Sequence, residues 1–377
     1  MSTPTWNVDQ LIDDPNTRII VCCGSGGVGK TTTAAAVALR AAERGRSVCV
    51  MTIDPARRLA QSMGLTELDN EPRPVSGIKG DGQLSAMMLD MKRTFDEMVE
   101  AHADSERAEQ ILSNPFYQAL SSSFAGTQEY MAMEKLGHLR AQSDADGTWD
   151  LIVVDTPPSR SALDFLDAPA RMGTFLDGRF IRLLTAPARS AGKGIGRIVN
   201  AGFGVFTGVL TKVIGAQVLK DLQAFVGAFD ALFGGFRERA EATYSLLQDS
   251  GTAFIVVAVP EPDALREASF FVERLAAEGM PLAGLVLNRV QESAAPALSA
   301  EQALAGAERL SDEETGELTA ALLNLHAARM NTVTRQEHLA ERFTGAHPAV
   351  PVCQVPAFAG DVHDLDGLRE VGVHLAQ

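Results

Sequence analysis

The chain has 377 residues, nearly half of them hydrophobic, and a formal charge of −15. Such a length accommodates one large α/β domain with insertions or two modest domains, and the apolar content excludes global disorder. The acidic balance argues against a nucleic-acid binder, whose phosphate contacts need a basic surface, and against broad attachment to an anionic membrane.

The first eighteen residues are polar and acidic and lack the apolar core of a signal peptide. The first periodic unit is Arg18-Ile-Ile-Val-Cys-Cys23, an apolar strand, followed by a glycine-rich turn and an alanine-rich helix over Thr31 to Arg44. A second strand, Ser47 to Ile53, stops at Asp54-Pro55. Strand, turn, helix and strand in that order form a βαβ unit, whose crossover makes the two strands parallel. Further buried strands are predicted at Leu151 to Asp155, Ala253 to Val259, Ala283 to Asn288 and Pro351 to Val355. Each is a near-continuous apolar run, the pattern of a parallel sheet covered on both faces. The cysteines, Cys22, Cys23, Cys49 and Cys353, form no Cys-x-x-Cys pair and fall in runs read as central strands. Reduced thiols and a soluble, cytoplasmic protein are therefore expected.

Between the strands, Phe95 to Gln142 and Ser159 to Gln248 carry helical periodicity and are too long for structureless loops. Ser299 to Phe343 reads as further helices, with Ser311 and Glu314 spaced as a capping box. Glycine-rich Gly192 to Arg197 follows no strand and reads as a hinge or loop.

The segment Gly24-Ser25-Gly26-Gly27-Val28-Gly29-Lys30-Thr31 satisfies the pattern G-x-x-x-x-G-K-[ST] between a strand and a helix. Glycines let successive N–H groups curl around phosphate, and the helix that follows presents its positive end to the same anion. Lys30 is expected to reach the β- and γ-phosphates of ATP, and the Thr31 hydroxyl to ligate Mg²⁺. Asp155 closes an apolar strand, the place for an acid that holds Mg²⁺ directly or through water. Asp54 closes the second strand, where it reads either as acceptor for an attacking water or as an Asp-Pro turn signal.

Gly24 to Thr32, Asp54-Pro55-Ala56 and Asp155-Thr156-Pro157-Pro158 together resemble the P-loop and two switch segments of the ArsA/GET3 ATPases, across nearly the whole chain. These are arsenite-pump and tail-anchored-protein-targeting ATPases. The resemblance implies an α/β P-loop NTPase with a mostly parallel central sheet, helices on both faces and a large helical insertion. One domain over 1–377 is expected, its core at about 17–92, 148–160, 249–292 and 346–377, with helical elaborations at about 93–147, 161–248 and 293–345. By position, Asp54 would orient the hydrolytic water, Asp155 would be the acid on the Mg²⁺ side, and Asn288 would read adenine. The loop at Pro356 and Phe358 would pack on the base.

The sequence also departs from that family. Ser25 stands where its members carry a signature lysine that reaches a dimer partner's ATP, a contact of the kind worth several orders of magnitude in rate. The cysteines for zinc, arsenic or an iron–sulfur cluster are missing as well. A dimeric ATPase switch is expected, with a paralogous P-loop subunit carrying the signature lysine as an alternative partner and an oxyanion-pump subunit as a third reading.

Within Ala201 to Phe236, two apolar stripes run at helical spacing, Val205 to Ile214 and Leu222 to Phe236. They fit core packing between helices, or a groove for a hydrophobic client, peptide or lipid-like. Four glycines, two threonines and Lys212 interrupt the best window for a transmembrane segment, so none is expected.

Overall fold

A computed structural model describes residues 6–54, 58–115, 117–118, 128–157, 236–311 and 316–377. These fall into two compact units. The first holds the described residues of Met1–Met88, Gln142–Leu163 and Leu246–Gln377, and the second those of Leu89–Ala141 and Asp164–Ser245.

The first unit is built on an eight-stranded sheet. Its strands are β1 (Ile19–Gly24), β2 (Ser47–Thr52), β3 (Arg73–Pro74), β4 (Gln83–Met88), β5 (Leu151–Asp155), β6 (Thr252–Ala258), β7 (Leu282–Val290) and β8 (Val352–Pro356), in the order β3-β4-β2-β5-β1-β6-β7-β8. Every pairing is parallel except that of the two-residue β3 with β4. β1, β5 and β6 are buried along their whole lengths, which explains their unbroken apolar sequences.

Helix α1 (Val8–Ile12) precedes β1, and α2 (Lys30–Glu43) links β1 to β2. The alanines of α2 are fully buried, so the helix lies close to the sheet and to α11 (Leu365–Leu375). A Cβ on Gly372 of α11 would lie 3.8 Å from the Ala36 carbonyl oxygen. The β1–α2–β2 crossover runs one way across the sheet, and the crossover from β6 through α8 (Pro262–Ala277) to β7 runs the other. Right-handed connections therefore place α2 and α8 on opposite faces. Arg46, only 11% exposed, ties the segment before β1 to β2 and β5. Its guanidinium donates to the Asp150 carboxylate at 2.7 Å and to the Thr17 and Asp150 carbonyls at 2.9 and 2.8 Å.

Two findings depart from the sequence reading here. β3 and β4 were not expected, because Gln83 and Ser85 interrupt the apolar run of a strand one place from the sheet edge. Cys353 lies on the edge strand β8, not a central one, although all four cysteines are buried and free.

In the second unit, α4 (Met91–His102), α5 (Ser105–Leu112), most of α6 (Gln128–Asp146) and most of α7 (Phe236–Gln248) supply the described helices. Asp90 and Asp104 cap α4 and α5 through their side chains. Lys135 pairs with Glu97 at 3.0 Å, and Arg239 pairs with Glu134 at 2.6 Å. A Cβ at Gly137 would meet the Thr243 hydroxyl at 2.6 Å, so this glycine sets the approach of α6 and α7.

The stretch from Ser299 onward is helical as expected, forming α9 (Ala300–Ser311) and α10 (Glu317–Ala346). Ser311 is the last residue of α9, and α10 starts after Gly316 with no side-chain cap. The residues that the Ser311–Glu314 spacing would cap, 312–315, lie outside the described residues. Glu314, Pro55, Ala56, Pro158, Gly192 to Arg197 and the apolar stripes over 201–235 lie outside the described residues. Among the described residues, no helix is long and apolar enough to cross a membrane.

Candidate functional site

The site forms at the carboxyl ends of β1, β2, β5 and β7, where open α/β sheets receive ligands. β1 ends at Gly24, whose φ of 149° suits glycine. A Cβ there would lie 2.1 Å from the Val257 carbonyl oxygen of the neighbouring β6. Gly29 has a φ of 98° and caps α2. The first bond of α2 is the Thr33 N–H donating to the Gly29 carbonyl at 2.9 Å. The N–H groups of Gly29, Lys30, Thr31 and Thr32 therefore have no acceptor within the helix, the arrangement that receives an anion.

Lys30 is buried, and its ammonium donates to the Ser25 carbonyl at 2.8 Å. Burial lowers its pKa, while the negative charges of Asp155 and Asp54 act the other way. The Thr31 hydroxyl donates to Asp155 Oδ2 at 2.8 Å, and Thr52 donates to the same oxygen at 2.8 Å. Register explains the second contact, because Thr52 and Asp155 are paired residues of β2 and β5. Asp155 is fully buried, and its other oxygen, Oδ1, has no hydrogen-bond partner among the described residues. Burial raises the Asp155 pKa to about 6, against the lowering effect of the two hydroxyls and Lys30.

A buried carboxylate oxygen without a partner is costly and calls for one. With the Thr31 hydroxyl beside it, the donor set is two hard oxygens, which suits Mg²⁺. Thiolate chemistry does not fit, since burial pushes the Cys23 thiol up to about 12 and that of Cys353 to about 11. Among the described residues, no cluster of three or more His, Cys, Asp or Glu side chains is placed to hold a metal.

Asp54 lies just beyond β2, which ends at Thr52, and its N–H donates to the Thr52 hydroxyl at 3.2 Å. Its charge acts on both Lys30 and Asp155, so these three groups share one site. Asn288 reaches the loop from β7, its amide donating to the Val28 carbonyl at 2.8 Å while its oxygen accepts the Arg289 N–H at 3.0 Å. A Cβ on Gly29 would lie 2.2 Å from that amide nitrogen. One donor and one lone pair of Asn288 remain for a base.

A cavity of about 870 Å³ opens beside the loop, lined by Gly29, Thr31, Thr32, Asn288 and Phe358 among others. It is large enough for a nucleotide. Pro356 is not on its wall. It closes β8, opposite Val290, and lines a second cavity with Trp6 and Gln354. Sequence reasoning missed Thr52, Arg58 and Arg289. Thr52 had a signal, since it lies two residues before Asp54 on the same strand end; the arginines read as ordinary surface cations.

A model of the ArsA ATPase family, described as anion-transporting ATPases, matches residues 17–306. The ATPase GET3 of Malassezia globosa is 26% identical over 283 residues, 75% of this chain and 76% of its own length. That of Podospora anserina is 26% identical over 302 residues, covering 77% and 80%. The ATPase ASNA1 homolog of Cryptosporidium parvum is 27% identical over 268 residues, covering 71% and 63%. The family match spans well over half the chain and includes every residue from Gly24 to Asn288 that meets at this site, so the protein belongs to the ArsA/GET3 family of P-loop ATPases.

Proposed function

We propose that the chain hydrolyses ATP to ADP and phosphate as a single ArsA/GET3-type ATPase domain, and that it works as a dimeric switch. The observation that carries the catalytic part is Asp155, held by Thr31 and Thr52 with one buried oxygen unpartnered, beside the Lys30 ammonium. The four N–H groups at the start of α2 that lack an acceptor within the helix receive the phosphates. Lys30 exchanges its contact with the Ser25 carbonyl for the β- and γ-phosphates. Thr31 and Asp155 would hold Mg²⁺, which when bound would supply positive charge to the transferred phosphoryl group. Asp54 accepts a hydrogen bond from the attacking water and orients it. Asn288 reads adenine with its spare donor and lone pair, and Phe358 packs on the base.

The nucleotide state controls binding of a hydrophobic client, a reading that rests on the apolar stripes over 201–236 and on the family resemblance. Hydrogen exchange over those residues should then differ between ADP and ATP-analogue states, and Phe225→Asp should weaken client binding without changing nucleotide affinity. Ser25 favours a second reading, in which a related subunit supplies the missing lysine in trans. In that case turnover rises on mixing the two chains. The central test is Lys30→Ala. It should fold normally and lose Mg²⁺-dependent ATP turnover, whereas turnover equal to wild type in a folded variant would defeat the assignment.

A further inference from the structure

Two arginines on the wall of the P-loop cavity have no acidic partner among the described residues. Arg58 opens α3 (Arg58–Ser62), and Arg58, Gln61 and Ser62 line the cavity together. Their i, i+3, i+4 spacing puts them on one helical face, so that face of α3 is turned to the cavity. Arg289 enters from β7. The register of β7 with β8 shifts between Leu287 and Val290, and Arg289 lies inside that bulge with a φ of 59°. It is the one non-glycine residue with positive φ among those described. A long side chain rarely adopts this conformation. Here the bond from the Arg289 N–H to Asn288 Oδ1 fixes it, and bulges commonly re-aim a side chain toward a site. The acid on the cavity wall, Asp361, forms an ion pair with neither arginine.

We propose that Arg58 and Arg289 are nucleotide-binding residues, supplying two cations from one chain to the phosphates of the bound nucleotide. This inference rests on reading the cavity as the nucleotide site. A triphosphate brings several negative charges, Lys30 answers one, and Ser25 brings none. Guanidinium forks bind phosphate oxygens through paired charge-assisted bonds. The two arginines come from elements on either side of the residues that line the loop, in a protein whose net charge of −15 would otherwise repel the ligand.

The test is calorimetric titration of the full chain with Mg²⁺-ATP, Mg²⁺-ADP and adenosine, on wild type, Arg58→Gln, Arg58→Lys and Arg289→Gly. Glycine accepts a φ of 59°, so Arg289→Gly removes the side chain without straining the backbone. Each neutral variant should bind Mg²⁺-ATP about tenfold more weakly or worse, the scale of a lost charge-assisted bond. Adenosine binding should stay at the wild-type value, and Arg58→Lys should fall between wild type and Arg58→Gln. Unchanged Mg²⁺-ATP affinity in Arg58→Gln and Arg289→Gly would overturn the inference, as would an equal loss for adenosine. A wild-type protein that binds no Mg²⁺-ATP would instead remove the nucleotide reading of the cavity, which keeps the two failures distinct.

Discussion

Asp155 is an acid the protein holds at a cost, and replacing it should make the nucleotide-free protein more stable. Its carboxyl is fully buried, and burial raises its pKa from 3.8 to about 6. A carboxyl with a higher pKa in the folded state binds its proton more tightly there than in the unfolded chain. The contribution of Asp155 to stability therefore falls as pH rises from about 4 to about 6 and levels off above that. A shift of this size corresponds to about 3 kcal/mol. In Asp155→Asn the amide oxygen can still accept from Thr31 and Thr52, while the amide nitrogen takes the place of Oδ1 and lacks a partner. That orphan costs roughly 1–2 kcal/mol, leaving a net gain of about 1–2 kcal/mol. Urea unfolding with EDTA and no nucleotide, for both proteins at about pH 8 and about pH 4.5, reads the difference. The other carboxylates are common to both proteins and cancel. The variant should be the more stable at the higher pH and lose that advantage at the lower. It should also lose the stabilisation that Mg²⁺-ATP gives the wild type. An Asp155→Asn protein less stable than wild type at the higher pH, or a difference independent of pH, would refute the reasoning.

Asp54→Asn should keep Mg²⁺-ATP binding and lower hydrolysis by about 10²-fold, measured by phosphate release, because only the orientation of water is lost. Gly24→Ala places a methyl group 2.1 Å from the Val257 carbonyl oxygen at a φ of 149°, and should lower stability by about 3 kcal/mol in denaturant titration. Arg46→Ala removes the guanidinium from Asp150 Oδ1 and from the carbonyls of Ile12, Asp14, Thr17 and Asp150, although Asp150 Oδ2 keeps the Ser47 N–H and the Asp14 carbonyl keeps the Thr17 N–H. It should cost about 2–4 kcal/mol by the same measurement while leaving nucleotide affinity intact.

How far the sequence spoke depended on burial. β1, β5 and β6 are covered on both faces, so their apolar runs stand out from the flanking polar residues. β4 is exposed at Gln83 and only half-buried at Ser85, and such a mixed run resembles many loops. The phosphate loop was legible because its chemistry is local: glycines, lysine and threonine are consecutive. Phe358 and Pro356 were read together as one loop, yet β8 ends at Pro356 and the chain turns there, sending the two side chains to different cavities. Arg58 and Arg289 lie 231 positions apart in the chain and share a cavity only after folding, so no spacing rule could pair them. The position of Asn288 at the end of β7 suggested a contact with the base. Its bond to the Val28 carbonyl, which ties β7 to the loop, required the register of the sheet.

The hydroxyls around Asp155 would also let one carboxylate serve both as the proposed cation ligand and as a link to the chain beyond β2. Each threonine hydroxyl has one proton and two lone pairs. Thr31 directs its proton to Asp155, which leaves its lone pairs free to face a cation without breaking that bond. Thr52 directs its proton to the same carboxylate oxygen and accepts the N–H of Asp54. A line of hydrogen bonds thus runs from the Asp54 backbone through Thr52 to Asp155. The Ile53 N–H adds a parallel bond to the Asp155 carbonyl at 3.0 Å. A cation held at Asp155 would weaken its pull on the Thr52 proton, and so would alter the support for Asp54. Chains of hydrogen bonds in a buried setting polarise one another, so the effect reaches further than a single contact would. The residue proposed to orient water and the residue proposed to hold the cation are therefore coupled within one subunit through the Thr52 hydroxyl.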